Sequence, residues 1–235
     1  MYSAIYDFFC GPHPYQNILH HEWLCTKDLH TDLHTYASYI KGKTLDAGCG
    51  SKPYEKWFSG VTEYIGLDIG NNSQADFLVE DNQPWPFPDS TFDSIVSFQT
   101  FEHIRDIKLV LSEINRVVKP GGVICISMPF IAYEHAAPSD YRRVSKHGIM
   151  HFFPDFEVIK VIPQGRFGST SGTLILDFIR TSMLGTRATR ILWGFLMPAW
   201  ILFTAFIGVC GWFFDKIDTT EKFYQNVMLL AQKPK

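Results

Sequence analysis

Charge is scarce in this chain: Asp, Glu, Lys and Arg make up 19% of it, against 46% hydrophobic and 15% aromatic residues. No basic run interrupts it and the formal net charge is −3, so nucleic acid is not an expected partner. Cysteine is sparse, five residues in an odd count, with no C-x-x-C pair. That fits a reducing, cytoplasmic compartment better than a disulfide framework. Met1 to Asp7 lack a basic region followed by a clean apolar stretch, so no secretory signal is expected. Internal repeats and low-complexity tracts are missing. No H-E-x-x-H occurs. His30 and His34 share a helical face, but nothing completes a ligand set around them, so they read as a polar helix face and no metal is assigned.

A chain of 235 residues suits one α/β domain with an elaboration. Leu19, Trp23, Leu29, Leu33, Tyr36 and Ile40 recur at helical spacing and predict a leading helix or helix pair. Apolar runs then alternate with helical patterns. Strands are expected at 44–47, 64–68, 75–79, 93–98 and 123–128, with a helix over 107–118 stopped by Lys119-Pro120-Gly121-Gly122. A sixth strand at 156–162 and a last one at 226–231 follow, and 145–153 has helical composition. Near-continuous apolar strands separated by helices imply a parallel sheet covered on both faces.

The first strand runs into Leu45-Asp46-Ala47-Gly48-Cys49-Gly50. Glycines there let the backbone approach a nucleotide closely, and tight turns need glycine in any case. Asp68, at the end of the next strand, stands where an acidic residue holds ribose hydroxyls. No Gly-Lys-Ser/Thr follows, and Pro53 stands where a dinucleotide fingerprint has its third glycine, so phosphate-cradle and dehydrogenase readings are disfavoured.

Beyond this point the motifs carry a resemblance. The Leu45–Gly50 loop and Leu67-Asp68-Ile69 are similar to the first two motifs of class I S-adenosylmethionine (SAM)-dependent methyltransferases. Trp85-Pro86-Phe87-Pro88-Asp89-Ser90-Thr91-Phe92-Asp93, Phe101-Glu102-His103-Ile104 and Arg116-Val117-Val118-Lys119-Pro120-Gly121-Gly122 resemble further motifs of the small-molecule branch, in order. The resemblance implies a Rossmann-like, seven-stranded, mostly parallel sheet, with the last strand inserted antiparallel between the fifth and sixth. It implies SAM as cofactor. Asp46 then anchors the methionine end through backbone and water, Gly48 and Gly50 let that portion lie against the chain, and Asp68 pairs with the ribose diol. Asp81 takes the place of the adenine-contacting acid with Asn82 beside it, and Ser97 and Gln99 border the sulfonium.

A hydroxyl acceptor needs a base, and histidine suits neutral pH. His103 and His135 are the candidates, each with a purely structural alternative. Ser139-Asp140-Tyr141-Arg142-Arg143-Val144-Ser145 resembles a D-Y-W-R-F-T segment of bacterial methyltransferases associated with surface polysaccharides, with Arg142 in place of Trp. Asp140, Tyr141 and Arg143 are accordingly candidate substrate contacts, or a plain helix start.

From Ile191 to Phe214 no residue is charged, while Arg187, Arg190, Asp215 and Lys216 flank the stretch. Such a length spans a bilayer core of ~30 Å as a helix. The last strand must return to the sheet, so a single crossing is disfavoured. Two helices broken near Pro198 are expected instead, after an amphipathic helix at 174–183. The expected organisation is a helical cap at 1–40, a SAM-binding core at 41–162, a helical apolar insert at 163–220 before the last strand, and that strand within 221–235. Two readings stand for 187–216: monotopic attachment at the cytoplasmic face of a membrane, or a buried lid or homodimer interface. The functional expectation is methyl transfer to a small-molecule, glycan or lipid-linked acceptor. The alternative is a non-catalytic SAM-binding or membrane-associated assembly protein retaining the fold.

Overall fold

The computed structural model describes Tyr6 and residues 8–11, 14–183 and 187–235. Seven strands form one sheet: β1 (Lys41–Ala47), β2 (Gly60–Ile69), β3 (Phe77–Val79), β4 (Phe92–Phe98), β5 (Val118–Pro129), β6 (Glu157–Gln164) and β7 (Asn226–Gln232). Their order is β3-β2-β1-β4-β5-β7-β6. The longer helices are α1 (Trp23–Tyr36), α2 (Ile107–Val117), α3 (Phe167–Met183) and α4 (Arg187–Ile217). β1 pairs parallel with β2 and β4, as do β2 with β3 and β4 with β5. β7 runs antiparallel to β5: Ile131 beyond the end of β5 donates to Gln225 before β7, while Gly121 near the start of β5 donates to Lys233 after it. The fold is the Rossmann-like seven-stranded sheet expected, with the apolar helical insert before the last strand. Residues 145–153 form only a short 3-10 turn, Ile149–Phe152.

The chain divides into two compact units, 32–130 with 134–162 and 227–235, and 1–31 with 131–133 and 163–226. The first boundary thus falls at 31/32 rather than 40, within α1, and the last at 226/227 rather than 220. In the sheet-bearing unit Leu45, Ile95, Val96, Ile124, Ile126 and Leu229 are fully buried. Strands covered on both faces leave no solvent face for polar alternation, which is why they read as continuous apolar runs. The chain order reverses beside β1, between β2 and β4, where a ligand crevice opens at the carboxyl ends of the strands in such sheets.

In the other unit, α3 and α4 pack antiparallel, the start of α3 against the end of α4. A Cβ on Gly168 would lie 2.1 Å from the Gly211 carbonyl oxygen, so only glycine permits this approach. Asp215 accepts from the Ser169 N–H at 2.8 Å and from the Ser169 hydroxyl, and Asp218 accepts from the Phe167 N–H at 3.0 Å. These carboxylates satisfy first-turn donors of α3 that have no partner inside the helix. Asp215, which flanks the apolar run, is therefore engaged within the protein.

The expected break at Pro198 does not occur: α4 continues through it. Proline removes one N–H and crowds the carbonyl four residues back. Burial on both sides of it opposes that loss. Met197, Trp200, Ile201 and Thr204 are all buried at helical spacing, with Trp200 against Leu24 and Leu176, and Met197 and Ile201 around Cys10. The opposite face is apolar and exposed: Phe195 is 80% accessible, Leu202 71% and Phe206 62%.

Candidate active site

The glycine loop leaves β1 and turns under the end of β2. The Gly48 N–H donates to the Leu67 carbonyl at 2.8 Å. Gly48 has φ +78, and a Cβ there would lie 2.2 Å from the Thr100 methyl group. Gly50 has φ +51, yet nothing lies within 4 Å of its would-be Cβ, because it lines an open cavity. The two glycines thus serve different ends. Gly48 admits Thr100, and Gly50 leaves room for a ligand.

Asp68 braces the loop. Its Oδ2 accepts from the Gly50 N–H at 3.0 Å and the Asn72 amide at 2.7 Å, and its Oδ1 from the Ile69 N–H at 2.8 Å. A carboxylate offers about four acceptor positions. Three are engaged, leaving one on Oδ1 for a ribose hydroxyl. Asn72 also donates to the Gly50 carbonyl at 2.7 Å. This brace carries no sequence signal, since the Gly-Asn-Asn turn reads only as a turn.

The cavity measures about 380 Å³, within the ~300–1,000 Å³ range of small-molecule sites. Gly48, Gly50, Asp68, Asp81, Asn82, Gln99, His103 and Tyr141 line it. Leu67, Ile69, Val79, Trp85 and Leu109 add an apolar wall suited to a flat base. Asp81 and Asn82 are exposed in the loop after β3.

Asp46 and Ser97 do not line the cavity. Asp46 is buried beneath the loop and accepts from the Tyr64 hydroxyl at 2.7 Å. Burial pushes its carboxyl up to about 7, with Asp68 adding repulsion and Tyr64 and Lys52 opposing. Ser97 donates to the Ala47 carbonyl at 2.6 Å and is fully buried. It ties β4 to the loop strand rather than bordering a sulfonium. Gln99 donates to Ser127 at 2.7 Å from a φ of +52 while facing the cavity.

Two of the sequence motifs prove to be one clamp. Arg116 of α2 donates to the carbonyls of Phe87 at 2.7 Å and Trp85 at 3.2 Å, and pairs with Asp89 and Glu113. Glu113 in turn accepts from the Trp85 N–H at 2.6 Å. This fixes the Trp85 wall. Arg142, standing where the resembled segment has Trp, donates to the carbonyls of Phe101, Ile104 and Arg105. It latches the turn that carries His103.

On the rim, His103 Nδ1 lies 2.5 Å from the Ser139 carbonyl, and the His103 and His135 rings meet edge to face with centroids 5.0 Å apart. The Asp140 side chain is nearly inaccessible. It binds both Arg143 terminal nitrogens and accepts from the His135 N–H at 2.8 Å, and these charges hold its carboxyl well below the usual range. Asp140 and Arg143 thus neutralise each other and build the rim. Tyr141 is 45% exposed on the cavity wall. Glu102 is the residue that sequence reading passed over. It is fully buried, neither carboxyl oxygen has a hydrogen-bond partner, and burial pushes its carboxyl up.

The sequence profile described as "Methyltransferase domain" matches residues 45–126. Those residues carry a class I SAM-dependent methyltransferase domain. SAM is the cofactor of this domain, and the open backbone at Gly50, the remaining acceptor position on Asp68 and the apolar wall fit it. Over 118 residues the chain is 33% identical to the sterol 4-C-methyltransferase strm-1 of Caenorhabditis elegans, covering 43% of this chain and 34% of that protein. Over 95 residues it is 33% identical to the malonyl-[acyl-carrier protein] O-methyltransferase of Erwinia pyrifoliae, covering 36% of each. The aligned part therefore spans about a third of these relatives' length. A phosphoethanolamine N-methyltransferase of Haemonchus contortus, solved with SAM, superposes with a TM-score of 0.53 at 17% identity, over 98% of this chain and 60% of that one. At that identity the likeness is one of fold.

Proposed function

We propose that this protein transfers the SAM methyl group to a small-molecule acceptor with an apolar or lipid-linked body, glycan-bearing carriers included, at the cytoplasmic face of a membrane. The observation that carries the transfer reading is the cavity at the ends of β1, β2 and β4, whose glycine loop and Asp68 leave ligand positions open. Methyl transfer from a sulfonium is a direct displacement, so the site must align the nucleophile with the methyl–sulfur bond and exclude water. Asp68 and the Trp85 wall orient the nucleoside, and the rim of His103 and Tyr141 faces the acceptor side. The relatives named above are a sterol and a malonyl-[acyl-carrier protein] methyltransferase, and the sterol one matches an apolar acceptor.

The membrane reading is supported by α4. Phe195–Ile217 is long and apolar enough to cross a bilayer, with a mean hydropathy of 1.8, and only 33% of that window is buried. Phe195, Leu202, Phe206 and Phe213 are each more than half exposed, and a contiguous apolar face of this kind calls for a cover. Lys216 lies 3.7 Å over the Trp212 ring, a pairing of basic and aromatic groups suited to the lipid interface.

Calorimetry with SAM on the wild type and Asp68→Ala tests the cofactor site: binding in the first and at least tenfold weaker binding in the second are expected. Well-folded wild type that ignores SAM would refute the reading. Labelled SAM with a cell-envelope extract should yield a labelled apolar product. Binding without turnover on any such pool would favour a non-catalytic SAM-binding protein. Flotation with anionic liposomes tests the membrane part, and a detergent-free dimer that does not float would assign α4 to a second copy instead.

A further inference from the structure

We propose that Glu102, His103 and His135 form a divalent-cation site on the rim of the cofactor cavity. One donor atom from each of the three lies within 4.8 Å of the other two. Glu102 is the anomaly that demands a partner: a fully buried carboxyl with neither oxygen hydrogen-bonded. Such a group is costly to bury unless a cation or donor meets it.

His103 is oriented as a ligand. His103 Nδ1 lies 2.5 Å from the Ser139 carbonyl, which can only accept, so Nδ1 carries the proton. The lone pair of the neutral ring is then on Nε2, which lies 3.8 Å from Glu102 Oε1. Two electron-rich atoms facing each other at that distance are too far apart for a good hydrogen bond. They are close to the ~3.4 Å that separates two ligands bound at ~2.1 Å in tetrahedral geometry. His135 Nδ1 lies 3.4 Å from Arg143 Nη2 and 3.6 Å from Asp140 Oδ2, so the Asp140–Arg143 pair borders this edge of the ring. Metal-bound histidines characteristically give their second ring N–H to a carbonyl or a carboxylate. The Ser139 carbonyl plays that part for His103.

Two imidazoles and one carboxylate suit Zn²⁺ or Mn²⁺ better than Ca²⁺. Three protein donors leave coordination positions open, and His103 lines the cavity. An acceptor oxygen could bind there, polarised and aligned beside the cofactor. With the cation bound, both histidines give up their lone pairs, and neither is the general base. The site rests on these side chains alone and stands or falls apart from the transfer reading.

The test is titration of the full chain with Co²⁺, followed by its visible absorption. One saturable Co²⁺ per chain, displaced by Zn²⁺, is expected. Glu102→Gln, His103→Ala and His135→Ala should each weaken it at least tenfold, whereas His34→Ala, which stacks on Trp57 away from the cavity, should not. Far-ultraviolet circular dichroism and the thermal midpoint of the same samples report whether each variant is folded. If Glu102→Gln does not fold, the two histidine variants decide. Wild type without a saturable Co²⁺ spectrum, or histidine variants that bind as wild type does, would overturn the proposal.

Discussion

The sheet-bearing unit and the helical unit both use glycine to bring backbones together, but to different ends. In the first, Gly48 and Gly50 shape a loop that serves a ligand. In the second, Gly168 lets two helices touch. The loop glycines sit at positive φ within a motif, so their role shows in sequence order. Gly168 has ordinary helical geometry, and its necessity appears only when α4 is placed against it. A glycine dictated by its own backbone conformation is visible locally; one dictated by a neighbour's proximity is not.

The largest expected effect breaks the helix pair. Gly168→Leu drives a side chain into the Gly211 carbonyl and should cost about 3 kcal/mol or more, read as a lowered thermal midpoint. Gly48→Ala should cost about 2 to 3 kcal/mol from positive φ and the clash with Thr100. It should also abolish SAM binding, which Gly168→Leu alters only through folding. Gly50→Ala sharpens the contrast. Its Cβ meets nothing, so stability should fall by only about 1 to 2 kcal/mol while SAM affinity drops further.

Asp46 makes the next prediction. Its folded carboxyl titrates near 7 rather than 3.8, so the native state holds the proton more tightly than the unfolded chain does. Stability should fall as pH rises from about 4 to 7, where the buried carboxylate becomes charged. Asp46→Asn should flatten that slope and, after loss of the charged Tyr64 hydrogen bond, gain roughly 2 kcal/mol at pH 7. A steeper slope in the variant would contradict the assignment. The smallest effect is Phe206→Glu on the exposed face of α4. It should leave the thermal midpoint within about 0.5 kcal/mol of wild type yet weaken liposome flotation.

Much of the cofactor half was legible because its strands are buried on both faces and its turns require glycine. The order of Asp68, Asp81 and Gln99 along the chain followed from the resemblance, and all three face the cavity. Ser97 was misplaced in detail, and the Asp46 side chain turned beneath the loop. A strand-end residue points to one side or the other according to pleat and pairing, and here those direct Ser97 to Ala47 and Asp46 to Tyr64. Glu102 escaped notice because its burial depends on the segment around Ser139 folding over it. Pro198 misled for a similar reason: its local penalty was plain, but the packing of Met197 and Trp200 on either side was not.

The sequence by itself determined the alternation of strands and helices, the glycine loop and the existence of an apolar segment, because backbone conformation and hydrophobic periodicity are written residue by residue; the cofactor class came from the resemblance that its motifs carry. Tertiary structure alone decided that Arg116 clamps the Trp85 loop, that α4 is one helix with an exposed apolar face, and that Glu102, His103 and His135 meet. Each of those depends on distances between segments far apart in the chain, which no local pattern encodes.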